Sequence, residues 1–423
     1  MKRKFAILLS AMLLMQAVCG CGGAAPSATS SASASTGSTA SKSSEKAVIV
    51  TDEQDFTHEN GITRLAKEIY GDLNVEFFVL SEDTQERETQ ISSLRVEIMA
   101  GGGPDGYLLS SPTSNMTFNG EGHPATLFPD VQRTMQAGAF LPLDDYIKES
   151  EYLRSEDHFA PVFDTGKTDE GQVVLPITYY ASVFLLDKAQ LADPDFAPKT
   201  WDELVNCEDT AVLKVVRNNL YTWCGAGIPR IADYATEKTI LTEENLTAQF
   251  EDLLAMPASE SFDEETALIQ SGSYAQTDEG MAYYAQNKDT VNAFAIPNTE
   301  GGVTAFITSY AAINRNSPKA DEVFRFFELL FSDEAQIDTE TVNDARGTLL
   351  MLGNLNSFLT HKNAYLQPEL LESVQSRVNA VRFYSVMDYT IYDTATTLTW
   401  EENPDCAAAA HSVMEALQTR LSE

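Results

Sequence analysis

The chain has 423 residues, enough for two domains, because single hydrophobic cores rarely grow beyond roughly 250–300 residues. Its 63 acidic and 28 basic residues give a formal net charge of −35. Nucleic acid is therefore excluded as an expected partner, since its binding depends on clustered Lys and Arg, and the charge mildly favours neutral or cationic ligands.

The amino terminus has the pattern of a secretory leader. Residues 2–4 are basic, and the apolar run of residues 5–18 is too short to span a bilayer as a stable helix. Val18, Cys19 and Gly20 precede Cys21, a pattern that resembles a bacterial lipobox. It implies that residues 1–20 are a lipoprotein signal peptide and that Cys21 becomes the lipidated first residue. The alternative is plain secretion, with Cys21 as a bystander.

Residues 21–46 are mostly Ser, Ala, Thr and Gly, with almost no large apolar side chain. Such a segment cannot bury enough surface to offset its ordering entropy, so we predict a flexible linker. Only Cys207, Cys224 and Cys406 follow it. Their odd number and spacing predict buried free thiols and no metal site, although a Cys207–Cys224 disulfide stays open.

Apolar strands and amphipathic helices alternate through the first part of the chain. Strands are predicted at residues 47–50, 75–80 and 107–109, with helices at residues 61–70 and 85–100 between them. This alternation predicts an α/β fold with a mostly parallel sheet. Open α/β sheets bind ligands at the carboxyl ends of their strands. Asp52, Glu53 and Ser111 follow predicted strands and are therefore candidate ligand-binding residues.

Gly101, Gly103 and Gly106 match the GxGxxG pattern of dinucleotide sites. In a dinucleotide site the glycines follow a strand and open a helix, whereas here they close a helix and precede a strand. We therefore expect no cofactor.

Residues 171–191 are predicted to carry the chain from one lobe to another. Pro176 interrupts a β-forming run, which favours an edge or crossing strand, and a second strand is predicted at residues 182–186. Tyr179 and Tyr180 then fall at a turn-like crossing, where we expect them to face a cleft.

Several segments together resemble the family 1 extracellular solute-binding proteins, the maltose-binding type that serves ABC importers. They occur in the family's order at residues 99–105, 139–147, 174–176, 187–188, 198–204, 279–282 and 313–336. The clearest is PKTWDEL at residues 198–204. The sequence departs from the family after the first crossing, where residues 184–188 read FLLDK in place of the usual tyrosines and asparagine.

This resemblance implies a two-lobed periplasmic-binding-protein-like fold of type II. Each lobe would be a mixed, mostly parallel sheet flanked by helices, and three hinge strands would join the lobes. The second strand is expected within residues 302–313 and the third near residues 369–378. The implied N-lobe comprises residues 47–177 and 306–368, and the implied C-lobe residues 178–305 and 369–423.

Three helix starts carry local signals. Thr200 and Glu203 form a predicted capping box, which makes the intervening Trp201 a packing residue rather than a stacking platform. Helices are also predicted to begin at Ser317-Pro318 and at Asn403-Pro404.

Catalytic motifs are absent from the sequence: the five histidines form no HExxH pair, and there is no GxSxG segment. We therefore predict no enzyme. A sugar offers an apolar face and a ring of hydroxyls, which call for aromatic surfaces beside polar groups. The predicted ligand-binding residues are Asp52, Glu53, Ser111, Tyr179, Tyr180, Tyr221, Trp223, Tyr283, Tyr284, Tyr384, Tyr389 and Tyr392.

The predicted function is capture of a small solute, most simply a carbohydrate, between two lobes and delivery to an ABC permease. The protein would be a monomer, lipid-anchored on the extracellular face of the cell membrane. A polyamine or other cationic solute is the alternative that the negative charge favours. A surface glycoside hydrolase is the enzyme alternative, since a carboxylate pair could hide among 63 acids.

Overall fold

Short apolar strands form the main sheet of the protein. The structure is a computed structural model and describes residues 46–52, 61–71, 73–111, 126–153, 158–218, 225–258, 284, 286–332, 351–352 and 368–422. Its strands are β1 Ala47–Thr51, β2 Val75–Val79, β3 Gly106–Ser110, β4 Lys167–Thr168, β5 Gly171–Gln172, β6 Leu175–Ala181, β7 Val183–Asp187, β8 Ala232–Asp233, β9 Lys238–Thr239, β10 Val291–Ala295, β11 Val303–Ile313, β12 Met351–Leu352 and β13 Val378–Phe383.

The helices alternate with the strands as the hydrophobic periodicity predicts. They are α1 Gly61–Tyr70, α2 Thr84–Met99, α3 Val131–Gln136, α4 Asp144–Glu149, α5 Ala160–Phe163, α6 Trp201–Val205, α7 Thr210–Asn218, α8 Glu243–Ala255, α9 Ala320–Leu329, α10 Pro368–Gln375, α11 Val386–Trp400 and α12 Cys406–Ser422.

The main sheet has seven strands in the described part of the chain, in the order β12-β6-β11-β3-β1-β2, with β13 also paired to β11. Strand pairs β1–β2, β1–β3 and β11–β13 are parallel, and the others are antiparallel. Strand β11 pairs with β3 through residues 309–313 and with β13 through residues 303–307. The predicted mixed α/β sheet is confirmed.

Hydrophobic residues lie on both faces of this sheet because successive side chains of a strand point to opposite sides. Ile49 belongs to a cluster that contains α9, whereas Val50 belongs to a cluster that contains residues of α2 and α3. A third cluster, here called the helical cluster, is built from β7, β10, α6–α8, α11 and α12.

Three strands, called here the junction strands, connect the main sheet with the helical cluster: β6, β11 and β13. Only Ser182 separates β6 from β7, so the chain leaves the main sheet and enters the β7–β10 pair at once. Along β7, Phe184 packs into the helical cluster and Leu185 into the cluster of α2 and α3. The β7–β10 pair therefore lies between two hydrophobic cores.

The structure corrects the expectation that Tyr179 and Tyr180 occupy a turn. Both lie inside β6, which runs unbroken from Leu175 to Ala181 and includes Pro176. Pro176 is tolerated because β12 pairs only with Thr178 and Tyr179, which leaves the proline on an edge of the described sheet. The strand's two-residue period sends the two tyrosines to opposite faces.

The predicted helix start at Thr200 is confirmed, and its cap involves residues close together in the chain. The Thr200 hydroxyl accepts from the Glu203 amide at 3.2 Å, and Trp201 is buried, which confirms it as a packing residue. The predicted start, with Ser317 as cap and Pro318 as first helical residue, is wrong by two residues. The Ser317 hydroxyl donates to Asp105 at 2.7 Å, and α9 begins at Ala320. The last helix likewise begins at Cys406 rather than at Asn403.

The third junction strand lies later than predicted. Most of residues 369–378 forms α10, and β13 begins at Val378, where the predicted segment ends. The lobe boundaries drawn from the resemblance remain a prediction. Glu53, Tyr221, Trp223, Tyr283 and the lipidation candidate Cys21 lie outside the described residues.

Over the residues that the structure describes, no helix is long and apolar enough to cross a membrane, and no cluster of His, Cys, Asp or Glu could hold a metal ion. Cys207 and Cys406 are free thiols. Burial raises the pKa of both thiols.

Candidate functional site

The carboxyl ends of β1 and β3 meet at a buried carboxylate. The Asp52 carboxylate accepts hydrogen bonds from the Ser110 amide at 3.1 Å and from the Ser110 hydroxyl at 3.3 Å. Arg87 lies 3.6 Å from the same carboxylate. Asp52 thus stands where the sequence predicts a polar site residue, but its oxygens are engaged within the main sheet.

A group of hydroxyls continues this polar edge across β11 and β6. The Thr178 hydroxyl lies 2.7 Å from that of Thr308 and also bonds to that of Ser309. The Ser111 amide donates to the Thr308 carbonyl at 2.8 Å, while the buried Ser111 hydroxyl has no hydrogen-bond partner in the described part of the chain. Ser111 therefore keeps an unused donor next to the junction strands.

Three neighbouring side chains on the junction strands form what we call the junction stack: Tyr180, Phe306 and Arg382. Phe306 pairs with Tyr180 across β6–β11 and with Arg382 across β11–β13. The Tyr180 ring stacks on Phe306 with centroids 5.3 Å apart and planes 27° apart. The Arg382 guanidinium carbon lies 4.7 Å from the Phe306 centroid. Strand register thus builds a cation–π stack from three distant positions.

The two faces of the junction strands differ in character. Tyr179 is fully buried in the cluster of α2 and α3, and its hydroxyl accepts from Gln375 at 2.6 Å. Burial raises the pKa of this tyrosine. Tyr180 is half-buried, whereas Phe306 and Arg382 are only 1% and 6% exposed. Within the junction stack, Tyr180 offers the most accessible ring.

Arg382 ties the junction strands to the helical cluster. It forms a buried ion pair with Asp388, and its Nη2 donates to the carbonyls of Gly225 and Ile228, each at 3.2 Å. Asp388 also accepts from the amide and hydroxyl of Ser385, at 2.9 and 3.0 Å, within a capping box that begins α11. The guanidinium of this β13 residue therefore contacts both α11 and residues 225–228.

The remaining predicted tyrosines that the structure describes lie in three places. Tyr384 is 2% exposed and packs against Phe306 at a centroid distance of 6.0 Å. Tyr389 and Tyr392 are half-buried on α11 with centroids 6.1 Å apart. Tyr284 packs against the cluster of α2 and α3, and burial raises its pKa. The structure brings Tyr180 and Tyr384 together on Phe306.

A second contact between the main sheet and the helical cluster involves Asp130, the residue that caps α3. Its carboxyl accepts from the Arg133 amide at 3.0 Å and interacts with the hydroxyl of Tyr234. Burial, with a smaller contribution from the Asp388 charge, raises the pKa of Asp130 to about 6. Burial and the charges of Asp130 and Asp388 raise the pKa of Tyr234.

A pocket of about 450 Å³ adjoins β13, and none of its lining residues belongs to the predicted set. It is bounded by α3, by the segment around α5, by residues 229–234 and by β13. Its polar lining groups are Gln132, Asp164, Thr165, Arg230, Tyr234, Asn379 and Arg382. This volume lies within the range of about 300–1,000 Å³ that is usual for small-molecule sites.

Sequence reasoning missed Phe306, Arg382 and Asp388. One signal was present for Arg382, since it is the single charged residue of the strand VNAVRF. A charge inside an apolar strand is costly to bury and usually has a dedicated partner. Phe306 carried no signal, because it resembles its apolar neighbours in β11.

Comparisons with solved structures support the architecture. The structure superposes on the sugar-binding protein MalE of Xanthomonas citri with a TM-score of 0.60 and 11% identity, covering 89% of this chain and 97% of that one. A maltotriose-binding protein of Thermus thermophilus, bound with maltotriose, gives 0.53 and 11%, with 89% and 100% coverage. A solute-binding protein of an ABC transporter from Thermotoga lettingae, bound with α-D-tagatose, gives 0.53 and 15%, also with 89% and 100% coverage.

At such low identities these likenesses establish the two-lobed solute-binding fold and do not specify a ligand. The curated proteins searched by sequence gave no match.

The sequence also matches a protein family. The model of the bacterial extracellular solute-binding proteins matches residues 57–337, about two thirds of the chain. This family consists of binding proteins, which agrees with the prediction that the chain is not an enzyme. The chain belongs to the bacterial extracellular solute-binding proteins.

Proposed function

We propose that the protein captures a carbohydrate between its two lobes and that the junction stack forms part of the floor of the site. The observation that carries this proposal is the half-buried Tyr180 ring, stacked on Phe306 near the point where β6 leads into β7. A sugar ring has an apolar C–H face that packs on an aromatic ring. A rigidly held tyrosine therefore suits this ligand class.

Polar groups around the stack supply the complementary chemistry. The Ser111 hydroxyl is buried and unused within the described structure, and the Thr178 and Thr308 hydroxyls lie on the same face as Tyr180. Sugar hydroxyls both donate and accept, so they pair with such groups. The solved neighbours named for maltotriose and for α-D-tagatose support the carbohydrate class as an analogy.

The route of the solute is also part of the proposal. A ligand that contacts both lobes favours the closed arrangement, because its binding lowers the free energy most in the state where both contacts are made. An ABC permease would recognise that closed arrangement and receive the solute. Lipidation at Cys21 would anchor the protein to the outer face of the cell membrane, with residues 22–46 as the tether.

The net charge of −35 supports a cationic solute such as a polyamine as the second candidate. Ammonium groups bind to aromatic faces and to carboxylates, and both are present at Tyr180 and at Asp130. Carbohydrate remains the preferred class because Asp52 and Asp388 are already paired with Arg87 and Arg382.

A thermal-shift screen against mono- and oligosaccharides, polyamines and amino acids tests the proposal. A ligand at one hundred times its dissociation constant stabilises the folded state by about 2.7 kcal/mol. We expect a shift with at least one saccharide. A shift with polyamines alone would contradict carbohydrate binding and support a cationic solute. The absence of any shift would contradict capture of the compounds in this panel.

A further inference from the structure

The conformation of the proposed site depends on one buried cation that the sequence did not single out. Arg382 is 6% exposed, and its guanidinium reaches the Phe306 ring, the Asp388 carboxylate and two backbone carbonyls. These partners lie on β11, on α11 and in residues 225–228. No single element could hold all of them in this relative position.

The arrangement is not the one that would maximise stability. Arg382 Nε is buried without a hydrogen-bond partner in the part of the chain that the structure describes. An unsatisfied buried donor costs stability, and a buried ion pair is often no better than apolar packing of the same volume. A strand of the main sheet could therefore carry an apolar residue here at lower cost, which favours a role beyond packing.

The contacts of Arg382 connect the stack to the other lobe. Phe306 is the shared neighbour of Tyr180 and Arg382, and a Cβ added at Gly225 would lie 3.3 Å from the Phe306 ring. Thr304, one step along the same face of β11, donates to the Ala226 carbonyl at 2.9 Å. Residues 225–228 thus contact the face of the junction strands that carries Phe306 and Tyr180.

We propose that Arg382 is the positioning residue of the solute site: it holds residues 225–228 and the start of α11 against Phe306 and so sets the lobe arrangement in which Tyr180 meets the ligand. This inference rests on the proposed function, since it assigns the ligand-facing ring to Tyr180. It concerns coupling between the lobes and requires no direct contact between Arg382 and the solute.

Arg382→Lys is the informative variant. Lysine keeps the charge that Asp388 needs, so the variant should fold, but a point-like ammonium cannot lie flat on Phe306 while donating to two carbonyls and a carboxylate. Arg377→Lys is the matched control. Arg377 precedes β13 and donates to the carbonyls of Pro198 and Lys199, at 3.0 and 3.3 Å, outside the stack.

The measurements use the full chain, with maltotriose as the first probe and then each saccharide active in the screen. We expect Arg382→Lys to weaken saccharide binding at least tenfold, whereas Arg377→Lys keeps the wild-type affinity. The melting temperature of Arg382→Lys should also fall further, because this variant loses the buried cation–π contact. A purely structural role predicts a lower melting temperature for Arg382→Lys with unchanged saccharide affinity, and that result would overturn the proposal.

Hydrogen–deuterium exchange without ligand separates this proposal from the proposed function. Arg382→Lys should raise exchange severalfold in peptides that cover residues 225–228 and 385–389, and Arg377→Lys should not. Unchanged exchange in Arg382→Lys overturns the positioning role even if saccharides bind. If no saccharide binds the wild type, the carbohydrate assignment fails, and a raised exchange still supports the coupling between the lobes.

Discussion

The Arg382 guanidinium carbon lies 4.7 Å from the centroid of the Phe306 ring, across a parallel strand pair and 76 positions away in the chain. Both side chains are almost completely buried. Desolvation strengthens the attraction between a cation and an aromatic face, so the contact contributes roughly 2 kcal/mol in such a setting. It links the buried ring at the centre of the junction stack to the ion pair with Asp388.

Replacement of Phe306 with alanine should destabilise the protein by about 3–5 kcal/mol, because it removes a buried ring and leaves a cavity beneath Tyr180. Phe327→Ala is the matched control, since Phe327 is fully buried in the cluster of α9, which contains no residue of the junction stack. Chemical denaturation should give similar losses for the two variants. Only Phe306→Ala should also weaken saccharide binding; equal affinities in the two variants would count against a role for the stack.

The adjacent tyrosines should respond in opposite ways. Tyr179→Phe removes the buried hydrogen bond with Gln375 and should cost about 1 kcal/mol of stability without changing ligand affinity. Tyr180→Ala removes the accessible ring of the stack and should weaken saccharide binding about tenfold. Denaturation midpoints and isothermal titration test the pair. A loss of affinity in Tyr179→Phe that matches the loss in Tyr180→Ala would show that the strand faces are assigned wrongly.

Asp130 should make folding stability depend on pH. Its folded pKa of about 6 lies above its usual value of 3.8, so between these values the folded state holds a proton that the unfolded state releases. Stability from this group is therefore present at low pH and is lost as pH rises from about 4 to 6, by at most about 3 kcal/mol. Asp130→Asn, which keeps a capping side chain, should be more stable than the wild type at pH 7.5 and lose this advantage near pH 4.

Melting temperatures measured from pH 4 to pH 8 check this expectation. The control is Asp233→Asn, because the side-chain and backbone hydrogen bonds of Thr236 lower the pKa of Asp233. The pH dependence expected from Asp233 has the opposite sign: its contribution to stability is present above its unfolded pKa and is lost as pH falls through the lower folded pKa. Parallel pH curves for wild type and Asp130→Asn would contradict the proton linkage at Asp130.

Gly171 should tolerate no side chain. Its φ of +106° is strained for any L-residue, and a Cβ there would lie 1.8 Å from Asp144 Oδ2, the atom that accepts from the Gln172 amide at 2.9 Å. We expect Gly171→Ala to cost about 2 kcal/mol or more. Gly301→Ala isolates the backbone contribution, because Gly301 has φ +79° and open space around it. Equal melting losses in the two variants would mean that the Asp144 contact carries no cost.

Local patterns in the sequence determined the alternation of strands and helices in the first part of the chain, and the family. The helix predicted at residues 61–70 has the bounds of α1, and the strand predicted at residues 47–50 is contained in β1, Ala47–Thr51. Such features depend on side-chain periodicity within a few turns, which the sequence carries directly. The capped helix at Trp201 was predicted for the same reason, since its contacts span four residues.

Only the tertiary structure decided which residues meet at the site. The sequence placed Tyr179 and Tyr180 together in a turn, but the pairing of β6 with β11 buries Tyr179 and leaves Tyr180 accessible. A shift of one residue in that register would have exchanged them, and register is fixed by distant strands rather than by neighbours along the chain. The stack of Tyr180, Phe306 and Arg382 and the raised pKa of Asp130 arise in the same way, because both depend on long-range pairing and burial.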